Sequence, residues 1–162
     1  MNIICFHNAD EENGYLSNWY PSPFTAGGIT FSSMEQYMMY EKAILFQDYQ
    51  TAEKILSTDD VAEIKALGRI VQHFDEEIWR EKRESIVHKG VLQKFLQNPE
   101  LAEKLLETGE QMIAECAVKD KIWGIGLSMW DEERFCVNKW KGQNLLGKIL
   151  MQVRAEILLL RD

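Results

Sequence analysis

The chain has 162 residues, a hydrophobic fraction of 46% and a formal net charge of −8. A chain of this length buries about two thirds of its unfolded surface, so it needs neither a disulfide nor a metal to form a core. The acidic balance argues against broad, sequence-independent binding to nucleic acid, which requires a basic face. It leaves room for a small basic pocket that holds a phosphate, because net charge does not describe one cleft.

The first half of the chain predicts two short strands followed by helices. The apolar run at 3–6 is typical of a buried strand, and Gly27-Gly28 mark a loop or hairpin before a second strand at 29–31. Ser32 or Ser33 then opens a helix, because apolar residues recur at helical spacing as far as Leu45.

Ser32 with Glu35 matches a capping box at the start of this first helix. Three further helices follow it. Two short helices are predicted at 51–57 and 60–67, the second ending near Gly68, and a long helix is predicted at 75–97.

The last third predicts a helix at 99–107, a strand at 112–116 and a polar loop at 128–143. A final amphipathic helix opens near Asn144. We classify the fold as α+β and mainly helical, in a single domain over residues 1–162.

The cysteines and the chain start bear on the compartment. Cys5, Cys116 and Cys136 are widely spaced and form no CxxC motif, which is typical of reduced thiols. The N-terminal segment lacks the basic start of a signal peptide, and no apolar run has the length of a membrane span. We therefore expect a cytoplasmic protein without a membrane partner.

Two polar clusters lie in the first half of the chain. Ser17, Asn18 and Trp19 fall in a loop, where the two polar side chains fit local turns as well as ligand binding. Glu35 and Lys42 are seven positions apart, so they share a helix face roughly 10 Å apart along the axis. That pair fits either a solvated helix face or a site.

Two more clusters lie in the second half. Glu115 in an apolar strand is unusual, and Asp120 supplies a second carboxylate close to Trp123 and Gly124. Two carboxylates of unequal pKa suit glycosyl-bond chemistry, although a turn with an incidental acid also fits. The glycine allows backbone to approach a ligand.

The fourth cluster, around Gly142 and Asn144, opens the last helix. A helix start with unpaired N–H groups holds a phosphate readily, although a plain N-cap fits as well. Arg83 and Lys94 on the long helix are further candidates to face a phosphate. No histidine has metal-ligand spacing, so we expect neither metal nor cofactor.

Taken in order, these segments resemble the NADAR (YbiA-like) family over nearly the whole chain. No single piece is decisive, and the specificity lies in the ordered set. The matching pieces are Leu16–Trp19, Met34–Ala43, Leu67–Arg69, Trp79, Lys94–Phe95, Leu106–Gly109, Glu115, Asp120–Gly124 and Gly142–Arg154.

The resemblance implies an enzyme that hydrolyses N-glycosidic bonds. The implied substrates are ribosylamino-pyrimidine phosphates from early riboflavin biosynthesis, or ADP-ribose conjugates, including modified guanine in nucleic acid. Gln36 stands where many members carry His, which removes an imidazole. Ile125 stands where members can carry an acid, which removes a polar contact. An ADP-ribose-binding or NAD-metabolite-binding module without catalysis is the alternative function.

A mechanism follows from the resemblance and the residue chemistry together. Lys42 is the candidate amine for a Schiff base with the sugar, Glu35 orients it or moves protons, and Glu115 or Asp120 serves as general acid or base. Direct attack by water, assisted by the same carboxylates, is the alternative route. We expect the substrate-binding residues to lie with these groups along one cleft; they are Asn18, Trp19, Arg83, Trp123, Gly124, Gly142 and Asn144.

Overall fold

The computed structural model describes residues 3–161. Met1, Asn2 and Asp162 lie outside the described residues. The prediction that the N-terminal segment is not a signal peptide falls partly on these residues. The chain divides into two compact units: residues 21–98, here called the helical unit, and residues 3–20 with 99–161, here called the terminal unit. The single domain over 1–162 stays a prediction, whereas the mainly helical α+β class is confirmed.

The helical unit begins with a hairpin. Strands β1 (Ile3–Phe6, in the terminal unit), β2 (Phe24–Ala26) and β3 (Ile29–Phe31) are the first three strands, and β2 pairs antiparallel with β3. Gly27 and Gly28 join β2 to β3 with φ of 60° and 81°. A two-residue hairpin turn with positive φ at both residues has a twist that matches the twist of the flanking strands. Glycine adopts positive φ without steric cost.

Four helices complete the helical unit. They are α1 (Met34–Leu45), α2 (Tyr49–Leu56), α3 (Val61–Arg69) and α4 (Glu76–Gln97). Helix α1 lies at the centre and packs against α2, α3 and α4. The predicted long helix is confirmed, with Asp75 as its N-cap. Helix α3 ends at Arg69, one residue beyond Gly68 and close to the predicted end. Glycine is required at position 68 because a Cβ there would collide with the side chain of Met39.

The predicted capping box at the start of α1 is wrong by one residue. The cap is Ser33, whose hydroxyl oxygen accepts from the Gln36 N–H at 3.2 Å. Gln36 Oε1 accepts in return from the Ser32 N–H at 2.7 Å. Ser33 and Gln36 therefore form the capping contacts in place of the predicted Ser32 and Glu35.

The terminal unit is built on a two-stranded parallel sheet. Strand β1 pairs with β4 (Met112–Glu115), with Ile3 opposite Met112 and Phe6 opposite Glu115. Helix α6 (Leu145–Leu160) packs on β4 and also contacts α5 (Pro99–Glu107). The predicted strands at 3–6 and 112–116 and the helix at 99–107 are confirmed, and the predicted loop 128–143 carries two short 3₁₀ turns.

The core of the terminal unit collects around this sheet. Arg154 of α6 anchors the segment before β4, because its Nη1 donates to Thr108 Oγ1 and to the Gln111 carbonyl, both at 2.8 Å. One cluster of buried core side chains comprises Ile3, Cys5, Ala114, Cys116, Ile125 and Leu127. No helix within residues 3–161 is long and apolar enough to cross a bilayer.

Candidate functional site

Lys42 lies in the last turn of α1, with its amine turned toward α3 and α4. Its Nζ donates a hydrogen bond of 2.8 Å to the Gly68 carbonyl oxygen. Nζ also lies 4.6 Å from the centre of the Phe74 ring and 5.8 Å from that of Trp79. The amine is therefore a half-buried group with an aromatic wall, and the interpretation of Lys42 as a fully solvated surface lysine is wrong.

Burial sets the charge of this amine. Desolvation lowers the pKa of Lys42 below its ordinary value, and the positive charge of Arg69 lowers it further. The carboxylates of Glu76 and Glu35 oppose this shift by favouring the ammonium form. The arrangement raises the fraction of uncharged, nucleophilic amine near neutral pH, relative to an exposed lysine.

Glu35 is buried in the first turn of α1, with 4% of its surface exposed. Its charge acts on Lys42 across the same helix, as their spacing predicts. Gln36 beside it is structural: its Nε2 donates to the carbonyl oxygens of Ile55 at 3.1 Å and Thr58 at 2.9 Å. The Gln36 side chain therefore ties α1 to the end of α2.

Arg83 is a buried guanidinium in the middle of α4, with 7% of its side chain exposed. Its Nη1 lies 3.7 Å from Glu76 Oε1, and the exposed Arg80 lies 3.9 Å from the same oxygen. The Glu76 carboxylate thus interacts both with the Arg83 guanidinium and with the Lys42 amine. The predicted residues Glu35, Lys42 and Arg83 all belong to the helical unit.

Lys94, one of the two basic residues predicted to face a phosphate, is buried with 1% exposure, and its Nζ lies 5.2 Å from the centre of the Phe95 ring. Burial lowers the pKa of Lys94 to about 7. The Lys94 ammonium group therefore loses its proton close to physiological pH.

Glu115 ends β4 in the terminal unit. Its N–H donates to Asn144 Oδ1 at 3.0 Å, and its carbonyl oxygen accepts from the Ile125 N–H at 2.9 Å. Asn144 Nδ2 donates in turn to the Ile113 carbonyl at 2.8 Å. The Asn144 amide therefore fixes the end of β4 against the start of α6.

Two expectations about the start of α6 are corrected by these contacts. Asn144 has φ of 54°, and its side chain makes no capping bond to the helix. The N–H groups of Leu145 and Leu146 donate to the carbonyl oxygens of Ile122 and Trp123, both at 3.1 Å. Because these donors already have protein acceptors, they are not the unpaired groups that a phosphate site at this end requires.

The glycines near this segment serve backbone packing. A Cβ on Gly142 would collide with the Gly124 carbonyl oxygen, and a Cβ on Gly124 would lie 3.0 Å from the carbonyl oxygens of Asp120 and Glu115. We expected glycine here to let the backbone approach a ligand. Instead, Gly124 and Gly142 allow two segments of the chain to pack closely against each other.

Asp120 forms a local turn. Its Oδ1 accepts from the N–H groups of Ile122 at 3.0 Å and Trp123 at 2.8 Å. The carboxylate positions the half-buried Trp123 and shapes the loop that receives the start of α6.

Asn18 is buried at 8% exposure, and its Oδ1 has no hydrogen-bond partner within the described part of the chain. Trp19 beside it is 36% exposed, and its N–H donates to Ser17 Oγ at 3.1 Å. A buried acceptor without a donor is costly, so Asn18 is suited to receive a hydrogen bond from a ligand.

Sequence reasoning missed the surroundings of Lys42. Phe74 and Glu76 were not among the candidates, and neither was the Gly68 carbonyl. A side-chain motif cannot reveal a carbonyl acceptor, and Phe74 carries no spacing signal; Glu76 was detectable only as a carboxylate one turn before Arg80. Within residues 3–161, no three His, Cys, Asp or Glu side chains are grouped to hold a metal.

The sequence is similar to a known protein family and to several named proteins. The NADAR domain model matches residues 5–158. N-glycosidase R617 of Acanthamoeba polyphaga mimivirus is 42% identical over 161 residues, covering 94% of this chain and 95% of that protein. Riboflavin biosynthesis protein VVA0006 of Vibrio vulnificus is 36% identical over 154 residues, which are 95% of this chain and 38% of that protein.

A solved structure shares the fold. The NMR structure of the E. coli protein YbiA matches with a TM-score of 0.81 at 26% identity, covering 98% of this chain and 86% of that chain. The chain belongs to the NADAR family.

Proposed function

We propose that this chain is an N-glycosidase that cleaves phosphorylated N-ribosides, with the ribosylamino-pyrimidine phosphates of early riboflavin biosynthesis as its substrate class. The observation that carries the proposal is the environment of Lys42. Its amine is half-buried, bound to the Gly68 carbonyl and depressed in pKa by desolvation. A lowered pKa gives this amine a larger uncharged, nucleophilic fraction at neutral pH than an exposed lysine has.

The reaction begins with ring opening of the N-glycoside, which places an imine between C1 of the sugar and the base nitrogen. The lone pair of Lys42 Nζ attacks C1, the π electrons of the imine move to the base nitrogen, and a proton passes from Nζ to that nitrogen to give a geminal diamine. The C1–N bond to the base then breaks, and its electrons and a second proton from Nζ leave with the nitrogen as the free amine of the base. The resulting Schiff base between Nζ and C1 is hydrolysed by water, which releases the sugar aldehyde and restores the amine.

The neighbours of Lys42 have distinct roles in this scheme. The Gly68 carbonyl fixes the position of Nζ, and the Phe74 and Trp79 rings keep water from one side of it. Glu35 stabilises the iminium charge that develops on Nζ and moves protons on the same helix. The aromatic wall also offers a surface on which a pyrimidine ring can stack.

The general acid or base stays a prediction, with Glu115 and Asp120 as its candidates. Asp120 is the weaker candidate, because its Oδ1 accepts two backbone hydrogen bonds that shape its own turn. Separate substitutions, Glu115→Gln and Asp120→Asn, distinguish them. We expect the first to reduce turnover by about 10²-fold or more, and the second to act chiefly through the position of Trp123.

Substrate choice is supported by the names of relatives. VVA0006 is named as a riboflavin biosynthesis protein, and R617 is named as an N-glycosidase. ADP-ribose conjugates, including modified guanine in nucleic acid, form the second substrate class to be compared. The alternative function, binding of ADP-ribose without cleavage, predicts a raised melting temperature with ADP-ribose and no released base.

The proposal is tested with a panel of N-ribosides incubated with the full chain, followed by mass detection of released ribose 5-phosphate or ADP-ribose. Release from the ribosylamino-pyrimidine phosphate, lost in Lys42→Ala, is the expected result. Cleavage of ADP-ribose conjugates alone would replace the substrate class. Absence of cleavage across the panel would reject the enzymatic proposal.

A further inference from the structure

Arg83 is buried deep in the helical unit, yet its polar contact is poor. Its Nη1 lies 3.7 Å from Glu76 Oε1, longer than the 2.7–2.9 Å of a charge-assisted hydrogen bond. Within residues 3–161, this ion pair is the polar contact that the structure gives the guanidinium. A buried guanidinium has five N–H donors to satisfy, so one distant carboxylate oxygen leaves most of its binding capacity unused.

Glu76 is the weak partner in this pair. Its side chain is 52% exposed, and the same oxygen also lies 3.9 Å from Arg80, whose side chain is 61% exposed. One carboxylate oxygen therefore stands between two guanidinium groups without a hydrogen bond to either. The exposed Arg80–Glu76 pair contributes little to stability. The half-exposed Glu76 carboxylate, 3.7 Å from Arg83, is therefore held weakly and can be displaced by a better acceptor.

The pair lies beside Lys42. Glu76 is the carboxylate that acts most strongly on the Lys42 amine, and Trp79, one helical turn from both Glu76 and Arg83, faces Lys42 Nζ at 5.8 Å. Glu76 therefore interacts with both Lys42 and Arg83, and Arg69 also acts on the Lys42 amine, all within the helical unit.

We propose that Arg83 forms the phosphate subsite of the substrate, and that Glu76 occupies this subsite as an internal anion until a phosphoryl group displaces it. The inference rests on the proposed function for the identity of the ligand, a sugar phosphate. Phosphate oxygens match the planar fork of arginine with two parallel hydrogen bonds, which the 3.7 Å pair with Glu76 does not. The subsite replaces the one expected at the start of α6.

Calorimetric titration of the full chain with inorganic phosphate and with ribose 5-phosphate tests the subsite without any turnover. Glu76→Gln removes the competing charge, and we expect it to tighten the dissociation constant by about fivefold. Arg83→Met is expected to weaken binding by at least about tenfold, and Arg83→Lys to weaken it less. Arg80→Met, which removes the exposed guanidinium on the same Glu76 oxygen, is the matched control and leaves affinity within about twofold.

Each outcome decides the proposal. Tighter binding in Glu76→Gln with weaker binding in both Arg83 variants supports it, and Arg83→Lys keeps the test valid if Arg83→Met fails to fold. Equal loss in Arg80→Met and Arg83→Lys, unchanged affinity in Glu76→Gln, or no binding by the unmodified chain overturns it. If the chain binds phosphate through Arg83 but cleaves no N-riboside, the phosphate subsite is supported and the proposed enzymatic function is rejected.

Discussion

The Nζ atom of Lys42 donates a 2.8 Å hydrogen bond to the carbonyl oxygen of Gly68. Gly68 lies inside α3 at a point where a side chain would collide with Met39 of α1. The close approach of α3 to α1 therefore brings the carbonyl to the lysine. One hydrogen bond joins the packing of two helices to the position of the proposed catalytic amine.

Replacement of Lys42 is expected to remove activity with little loss of fold. Lys42→Ala and Lys42→Arg should both reduce kcat/KM by at least about 10²-fold, because alanine has no amine and guanidinium stays protonated. Circular dichroism and melting temperature should show that both variants fold. Lys54→Ala, at an exposed lysine of α2, is the matched control. Near-normal turnover in Lys42→Ala would leave the amine without a catalytic role.

The pH profile of kcat/KM reports the charge of Lys42. Since the neutral amine attacks, the rate should rise with pH through the pKa of Lys42, which burial places below its ordinary value. Removal of the Glu76 charge favours the neutral amine, so Glu76→Gln should move this limb to lower pH. Loss of the positive charge in Arg69→Gln should move it to higher pH. Limbs that do not move in opposite directions would show that another group controls the rate.

Lys94 makes the stability of the fold depend on pH. Its pKa in the folded chain is about 7, so between about pH 7 and its unfolded value of 10.5 the unfolded state binds more protons. The free energy of unfolding should therefore rise with pH across this window, by on the order of a few kcal/mol. Urea titrations at several pH values measure this slope. Lys94→Met should flatten it, whereas Lys82→Met at an exposed position of α4 should not.

Much of the fold was predictable because its signals are local. The Asn98-Pro99 break ended α4 where the pattern placed it, and Gly27-Gly28 marked the hairpin turn. The cap of α1 was misplaced because adjacent serines both satisfy the motif, and only backbone geometry distinguishes Ser33 from Ser32.

The site was only partly predictable, because the partners of each side chain come from distant segments. The spacing of Glu35 and Lys42 placed them on one helix face, but the Gly68 carbonyl and the Phe74 ring reach Lys42 through helix packing. At Asn144 the residue type favoured a cap, whereas its left-handed φ directs the amide to β4. No local pattern reveals that change of partner.

Asn144 is expected to hold the end of β4 in place. Asn144→Ala removes an acceptor from the part-buried Glu115 N–H and a donor from the buried Ile113 carbonyl. Each such group left without a partner costs about 1–3 kcal/mol, so a loss of roughly 2–6 kcal/mol in unfolding free energy is expected. Gln143→Ala, at the exposed neighbour, is the control for denaturant titration. Equal stability of the two variants would contradict this role.

Gln36 should prove structural and not catalytic. Gln36→Ala removes its bonds to Ser32, Ile55 and Thr58, and we expect the unfolding free energy to fall by about 2–4 kcal/mol. Turnover per folded molecule should stay within about threefold of the unmodified chain, because no step uses this amide. A loss of kcat comparable to that of Lys42→Ala, in a variant that is still folded, would assign Gln36 to the chemistry.

A covalent bond between the sugar and Lys42 during turnover is the central feature of the proposed reaction. Borohydride added to the chain while it cleaves a ribosylamino-pyrimidine phosphate reduces a Schiff base to a stable amine. Mass spectrometry of the peptide that contains Lys42 should then show the added mass of the reduced sugar phosphate, and Lys42→Arg should show none. Full turnover with no added mass on this peptide would contradict the covalent route and favour direct attack by water, with Lys42 acting through its charge.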